Sequence, residues 1–231
     1  EIISQLPKSD RIIIEAGTPL IKDYGKAGIR RLETAWRSRL MSVSFAAKSD
    51  QSLFGRVVNY QQTRNPDNHL GLPSVYVVAD TKCMDRGMTE VQIAYIGGAS
   101  AATVLGAAPI ETINAFIAAC EEKGLDSMVD MIGVEQPIKV LRKLKKMPTV
   151  VILHRGVDEE AFDKNKPIPY LQINKIRSSF NTMISIAGGD TVREAQRAIF
   201  NDANIVIVWK DFYSPVSNTS QLAEEFLKEI K

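Results

Sequence analysis

From residue 75 onward, short apolar runs alternate with helix-like segments, and this alternation restricts the fold more than any other feature of the sequence. Strands are predicted at 75–79, 100–105, 127–131, 149–153, 182–187 and 204–208. Helices are predicted at 89–98, 109–123, 137–146, 170–179, 191–201 and 217–231. An earlier strand at 11–16 gives seven in all. So many right-handed βαβ units favour an α/β fold of the (β/α)8 TIM-barrel type over an open sheet.

The eighth strand of such a barrel has no clear place in the sequence. Either it is absent ahead of Glu1 or it is formed by the apolar stretch at 40–47. Because the chain does not begin with Met, we expect either residues missing ahead of Glu1 or a permuted fold. We predict a single barrel domain over residues 1–231.

Composition restricts the partners and the compartment. The 231 residues are 45% hydrophobic and carry a net charge of +2, so no general attraction to nucleic acid or membranes is expected. The basic run at 142–146 is predicted to be the solvated face of a helix. No apolar run approaches the roughly 20 residues of a membrane span. Only Cys83 and Cys120 are present, which indicates a reducing cytoplasm and neither a disulfide scaffold nor a zinc site.

Charged residues follow the strand at 75–79, within the segment VVADTKCMDRG. Asp80 and Lys82 are two residues apart, so they point to the same side of an extended strand. Together with Asp85 they are costly at the end of an apolar strand unless they are paired, metal-bound or solvated. For this motif alone, a solvated loop is the more common outcome.

Other predicted strands also end in polar residues or glycines, and in barrels the chemistry lies at these carboxyl ends. The residues predicted there are Glu15, Asp80, Lys82, Asp130, His154, Gly188 and Gly189.

Three kinds of chemistry suit these positions. Glu15 and Asp80 offer oxygen ligands to a hard cation such as Mg²⁺, which would polarise a carbonyl and stabilise an enediolate. His154 is either an acid–base group or a core histidine bonded to backbone. The Gly188–Gly189 pair before a helix suits a phosphate, although such a pair alone is more often a turn.

Six segments carry a resemblance to a known family. They are IEAGTPLIKDYG, VVADTKCMDRG, ATVLGAAPIETI, VDMIGVEQP, ILHRGVDEE and SIAGGDT, in this order. Together they resemble the orotidine 5′-monophosphate decarboxylase superfamily. Within it, they resemble the hexulose-6-phosphate synthases, especially the archaeal form fused to a formaldehyde-activating domain. The resemblance covers residues 12–22 and most of 73–231.

The resemblance implies a homodimeric barrel with active sites at the dimer interface. It implies Mg²⁺ near Glu15 and Asp80, with Lys82 beside the reacting carbons. Asp85 would reach into the partner's site, and His154 would be the acid–base group. The implied reaction is a reversible aldol condensation of formaldehyde with the enediolate of ribulose 5-phosphate, which gives a hexulose 6-phosphate.

The resemblance also suggests how the substrate is held. Gly188, Gly189 and Lys210 would bind the sugar phosphate, and Asp130 and Thr103 would contact the rest of the substrate. Two alternatives stay open: a phosphosugar enzyme with an altered, decarboxylase-like substrate, and a catalytically silent homologue that binds a phosphate ligand or a protein.

The sequence departs from the family pattern in three places. The aspartate of the family's first strand has no clear counterpart. The last strand is followed by Trp209–Lys210 instead of Gly-Arg, and lysine lacks the bidentate fork of arginine. Residues 37–72 form an unusual insertion, for which we expect a lid, a dimer arm or a partner surface. Val157 stands where related 3-keto-gulonate-6-phosphate decarboxylases carry arginine, which favours the synthases.

Overall fold

The computed structural model describes residues 1–46, 75–164, 166–189, 191–213 and 218–230. Seven parallel strands form one curled sheet in chain order, which confirms the predicted parallel βα architecture. The strands are β1 (Ile14–Ala16), β2 (Val77–Cys83), β3 (Ala101–Leu105), β4 (Asp126–Asp130), β5 (Val150–His154), β6 (Met183–Ala187) and β7 (Ile205–Ile207). In the described ranges no strand joins β7 to β1, so the sheet is a barrel that lacks one strand.

Helices alternate with the strands and cover the outer face of the sheet. They are α1 (Ile2–Gln5), α2 (Thr18–Ala46), α3 (Gly87–Gly97), α4 (Ile110–Lys123), α5 (Pro137–Leu141), α6 (Val157–Phe162), α7 (Leu171–Arg177), α8 (Val192–Phe200) and α9 (Thr219–Glu229). A 3₁₀ helix at Lys210–Tyr213 follows β7. Within the part of the chain that the structure describes, no helix is both long and apolar enough to cross a bilayer.

The strands bury side chains on both faces, and the two faces build two separate apolar layers. The larger layer lies between sheet and helices and includes Val77, Val129 and Ile184. The smaller layer contains Val78, Met128 and other residues that alternate with the first set and therefore point into the barrel. The same alternation carries Asp80 and Asp130 to the interior face, two residues beyond Val78 and Met128.

One candidate for the eighth strand is wrong. Residues 40–46 belong to helix α2, which runs to Ala46 with a backbone break at Gly25. Ile29, Trp36 and Leu40 are buried and lie seven and four residues apart, so they occupy one helical face against the core. The remaining residues of the predicted insertion, from 47 to 72, lie outside the described residues.

The helix predicted at 137–146 is shorter in the structure, so the basic run follows the helix instead of lying on it. Helix α5 ends at Leu141, and the next amides bond three residues back, from Lys143 to Val140 and from Leu144 to Leu141. The chain tightens here because Leu144 and Met147 pack against the core.

Candidate active site

Three strands bring four charged or ionisable side chains together at the carboxyl end of the sheet. The Nζ atom of Lys82 lies 2.7 Å from Oδ2 of Asp80 and 3.6 Å from Oδ2 of Asp130. On the far side of Asp130, Nδ1 of His154 lies 2.9 Å from Oδ2. We call these four residues, together with Glu15 at the end of β1, the charged cluster.

Local backbone structure aims these side chains. Asp130 and His154 are the last residues of β4 and β5. Lys82 lies where the pairing of β2 with β3 changes register, and it has a positive φ of 43°. Same-face residues of a strand lie roughly 7 Å apart along the backbone, and the long side chain of Lys82 spans this distance to reach the Asp80 carboxylate.

The carboxylate of Asp80 is almost fully buried and surrounded by donors. The Thr18 hydroxyl donates to Oδ2 at 2.8 Å, the Thr103 hydroxyl donates to Oδ1 at 2.9 Å, and the Lys82 ammonium donates to Oδ2. Asp130 is also buried, and its Oδ1 accepts the backbone N–H of Ile132 at 3.0 Å. These contacts hold both aspartates in one orientation.

Charge within the cluster shifts two pKa values. Burial lowers the pKa of Lys82, but Asp80, Asp130 and Glu15 outweigh it and hold that pKa above its ordinary value. At Glu15, burial and then Asp80 raise the pKa to about 7, although solvent reaches part of the side chain. The carboxyl groups around Lys82 thus raise its pKa, and the loss of hydration together with the nearby Asp80 raises that of Glu15.

The cluster fits a hard dication in its donor chemistry. Among the described residues no three His, Cys, Asp or Glu side chains are grouped as a metal site. Mg²⁺, however, commonly takes only one or two protein carboxylates and completes its shell with substrate and water oxygens. Glu15 accepts no hydrogen bond from the described residues and Asp80 is nearby. The ammonium of Lys82 would have to move away from Oδ2 of Asp80.

Not all predicted site residues enter the cluster. Asp85 lies exposed in the loop after β2, where its Oδ1 accepts the Arg86 N–H at 2.7 Å. Thr103 lies beneath the cluster with its hydroxyl engaged by Asp80 and Lys82. Lys210 lies in the exposed 3₁₀ helix, 3.9 Å from Oε1 of Glu160.

Gly188 and Gly189 follow β6, whose last residue pairs with His154, so they lie at the same end of the sheet as the cluster. Gly188 has a φ of 92° and its carbonyl accepts a hydrogen bond from Arg155 at 2.5 Å. The following helix, α8, begins at Val192 behind the Thr191–Glu194 capping box. The predicted order of glycine pair and helix is therefore present.

The sequence did not predict two residues that make clear contacts in or near the site. Thr18 lies two residues beyond β1 and bonds Asp80, and the only signal in the sequence was a hydroxyl residue just past a strand end. Arg155 is buried and bonds the carbonyls of Gly188 and Lys166, with Glu160 at 3.5 Å. Arg155 follows His154 directly in the sequence, but no sequence pattern indicated that its side chain would be buried.

A curled parallel βα sheet with an acid–base cluster at its carboxyl ends defines a barrel-type protein whose site lies at the barrel mouth. The family model described as "Orotidine 5'-phosphate decarboxylase / HUMPS family" matches residues 68–208. The chain belongs to this family, as its motifs predicted.

Relatives with curated names cover the whole chain. A "Bifunctional enzyme Fae/Hps" from Methanothrix thermoacetophila is 30% identical over an alignment of 234 residues, which covers 100% of this chain and 48% of the relative. The protein of the same name from Methanocaldococcus jannaschii is 32% identical over 207 residues, 90% of this chain and 42% of the relative. The chain therefore spans about half the length of the curated relatives it matches.

Solved structures support the fold. The crystal structure of 3-hexulose-6-phosphate synthase from Salmonella typhimurium superposes with a TM-score of 0.73 at 22% identity. The match covers 99% of this chain and 90% of the other. The predicted (β/α)8-type fold with a missing strand is thereby confirmed.

Proposed function

We propose that this chain is an Mg²⁺-dependent aldol enzyme that reversibly condenses formaldehyde with ribulose 5-phosphate to a hexulose 6-phosphate. The observation that carries the proposal is the ammonium of Lys82 lying between the carboxylates of Asp80 and Asp130, with His154 on Asp130. The names of the relatives, Fae/Hps and 3-hexulose-6-phosphate synthase, supply the substrate class.

We assign proton transfer to His154, whose ring is held by Asp130. An ionised Asp130 that accepts from Nδ1–H leaves Nε2 of the neutral ring free to accept a proton. In the condensation, a base removes the C1 proton of the ketose phosphate, and the resulting enediolate carbon attacks formaldehyde. The new carbon–carbon bond leaves an alkoxide on the former aldehyde oxygen, which takes up a proton. We assign both transfers to His154.

Charge stabilisation falls to Lys82. Its raised pKa keeps the ammonium protonated at neutral pH, so it is a fixed positive charge beside the developing enediolate. Mg²⁺ held by Glu15 and Asp80 would add a Lewis acid for the two oxygens of that enediolate. Thr18 and Thr103 keep the Asp80 carboxylate oriented.

We assign the phosphate to the loops after β6 and β7. The backbone of Gly188 and Gly189 precedes helix α8, whose amino terminus favours an anion. Lys210 adds a point charge in place of the family's arginine. Its ammonium lies 3.9 Å from Oε1 of Glu160 at the exposed end of the sheet.

The test is the reverse reaction, release of formaldehyde from a hexulose 6-phosphate, with Mg²⁺ and with chelator. We expect release that chelator abolishes and that Asp80→Ala lowers by at least about 10²-fold. Asp10→Ala, an exposed aspartate in the loop before β1, is the matched control and should keep wild-type release. Chelator-resistant release would refute the metal, and unchanged release in Asp80→Ala would refute its assignment as a ligand.

A second candidate is a phosphosugar enzyme of the same fold with an altered, decarboxylase-like substrate. Trp209 and Lys210 favour it, because they stand where the family has the Gly-Arg pair that binds phosphate, and both lie exposed after β7. No formaldehyde release, together with thermal stabilisation by another sugar phosphate, would support this candidate. Failure of every pentose and hexose phosphate to bind would leave the silent homologue.

A further inference from the structure

Thr103, on β3, bonds two residues of β2 beneath the charged cluster. Its hydroxyl accepts the backbone N–H of Lys82 at 3.1 Å and donates to Oδ1 of Asp80 at 2.9 Å. The residue is only 1% exposed. Because the hydroxyl proton and an acceptor lone pair are both in use, Thr103 has little capacity left for a ligand.

The strand pairing shows why this hydroxyl matters. Ala79 pairs with Ala102 and Cys83 pairs with Val104, so three residues of β2 lie opposite the single residue Thr103. In a regular ladder the Lys82 N–H would meet a backbone carbonyl of a neighbouring strand. In this bulge it meets the Thr103 side chain instead.

The same bulge holds Lys82 in an unfavourable backbone conformation. Its φ of 43° is in the left-handed region, which is unfavourable for a residue with a side chain. Such a conformation persists only where surrounding contacts enforce it. The bond from Lys82 N–H to Thr103 is one such contact. A second bond, from the Thr81 hydroxyl to the Thr103 carbonyl, ties the neighbouring residue to the same position.

We propose that Thr103 is a positioning residue that locks the β2 bulge and the Asp80 carboxylate, and so places the Lys82 ammonium between Asp80 and Asp130. It acts through Asp80 and Lys82 and makes no substrate contact, in contrast to the substrate role expected from the sequence. The kinetic part of this inference rests on the proposed function, whereas the structural part does not.

The kinetic experiment compares Thr103→Val with Thr103→Ser in the full chain. Valine keeps the branched shape but leaves the Lys82 N–H and Asp80 Oδ1 without their partner, whereas serine keeps the hydroxyl. We expect Thr103→Val to lower kcat by about 10²-fold, the usual effect of a misplacement of about 1 Å, with KM for the sugar phosphate within about twofold. Thr103→Ser should restore kcat to within about threefold of wild type.

Two control variants sharpen the comparison. Thr112→Val changes another buried threonine, on α4, and should keep wild-type kinetics. Thr18→Val removes a donor to Asp80 but keeps the Thr103 hydroxyl that accepts the Lys82 N–H, so its kcat should fall less than in Thr103→Val. A rise in KM alone, or equal kcat losses in the serine and valine variants of Thr103, would overturn the proposal.

Crystal structures of the same variants make the test independent of turnover. In Thr103→Val we expect Lys82 to leave its positive φ and its Nζ atom to move away from Asp130, whereas Thr103→Ser should keep both. An unchanged Lys82 in Thr103→Val would refute the positioning role. If the valine variant does not fold, Thr103→Ala takes its place with the same expectation. Wild-type protein without aldol activity would refute only the proposed function.

Discussion

At the residue scale, Glu15 illustrates how neighbouring charges control one carboxyl group. Burial, Asp80 and Asp130 raise the pKa of Glu15 from its ordinary value of 4.5 to about 7, against the opposing charges of Lys82 and His154. A pKa that is raised in the folded state contributes stability that is fully present below pH 4.5. That contribution is lost as pH rises through 7. The ionised Glu15 therefore opposes folding at alkaline pH when no cation is bound.

We predict that Glu15→Gln stabilises the protein at pH 8 but not at pH 4.5, with chelator present at both. Glutamine has the size of glutamate and never ionises, and solvent screens part of the effect at this exposed side chain, so at pH 8 its variant should melt slightly above wild type. Circular dichroism melting curves measure the difference. Glu225→Gln, on the exposed surface of α9, should melt like wild type at both pH values. An equal shift of the Glu15 variant at both pH values would contradict this linkage.

At the element scale, the turn between β6 and α8 depends on a glycine. Gly188 has a φ of 92°, and a Cβ atom at this position would lie 2.3 Å from the carbonyl oxygen of Arg155. Gly133 also has a positive φ, of 70°, but a Cβ there would meet nothing within 4 Å. Substituting alanine at Gly133 would therefore cost only the unfavourable backbone conformation, whereas at Gly188 it would add a steric clash.

We predict that Gly188→Ala destabilises the protein by about 3 kcal/mol or more, and Gly133→Ala by only about 1 kcal/mol. The first change adds displacement of the Arg155 backbone to left-handed strain, whereas the second adds strain alone. Urea unfolding of both variants measures the difference. Equal losses of stability would show that the close approach of Gly188 to Arg155 relaxes at no cost.

At the scale of the whole molecule, Asp85 lies outside the charged cluster of its own chain, and its expected place is the partner's site. Asp85 is exposed, and so are Met84 and Met88 on either side of it. Methionine is enriched at contacts between subunits whereas aspartate is depleted, so the two exposed methionines are the feature here that favours such a contact. The homodimer with shared sites stays a prediction, and mixing of inactive variants tests it.

We predict that mixing Lys82→Ala with Asp85→Ala subunits restores activity. If a site takes Lys82 from one subunit and Asp85 from the partner, each mixed dimer holds one intact site. Random exchange makes about half the dimers mixed, so about a quarter of wild-type activity should return. Native mass spectrometry verifies that mixed dimers form. A mixture that contains them and stays inactive would rule out shared sites.

The alternation of apolar strands and helices was readable from the sequence because burial on both faces of a parallel strand leaves a local pattern. Asp80, Lys82, Asp130 and His154 were likewise expected at one end of the sheet, since parallel strands end together. The stretch at 40–46 was misassigned because its apolar residues fit a strand as well as a helix. The burial of Trp36 and Leu40 on one face decided for the helix.

The sequence by itself determined the family, the parallel βα architecture and the residues that gather at the carboxyl ends of the strands. These depend on local periodicity and on motifs that lie within single elements. The tertiary structure alone decided how the charges pair. The bulge that turns Lys82 toward Asp80, the hydroxyl of Thr103 from the next strand and the inward turn of Arg155 all depend on contacts between elements distant in the chain. No local pattern in the sequence encodes such contacts, because each depends on where a second strand or loop lies.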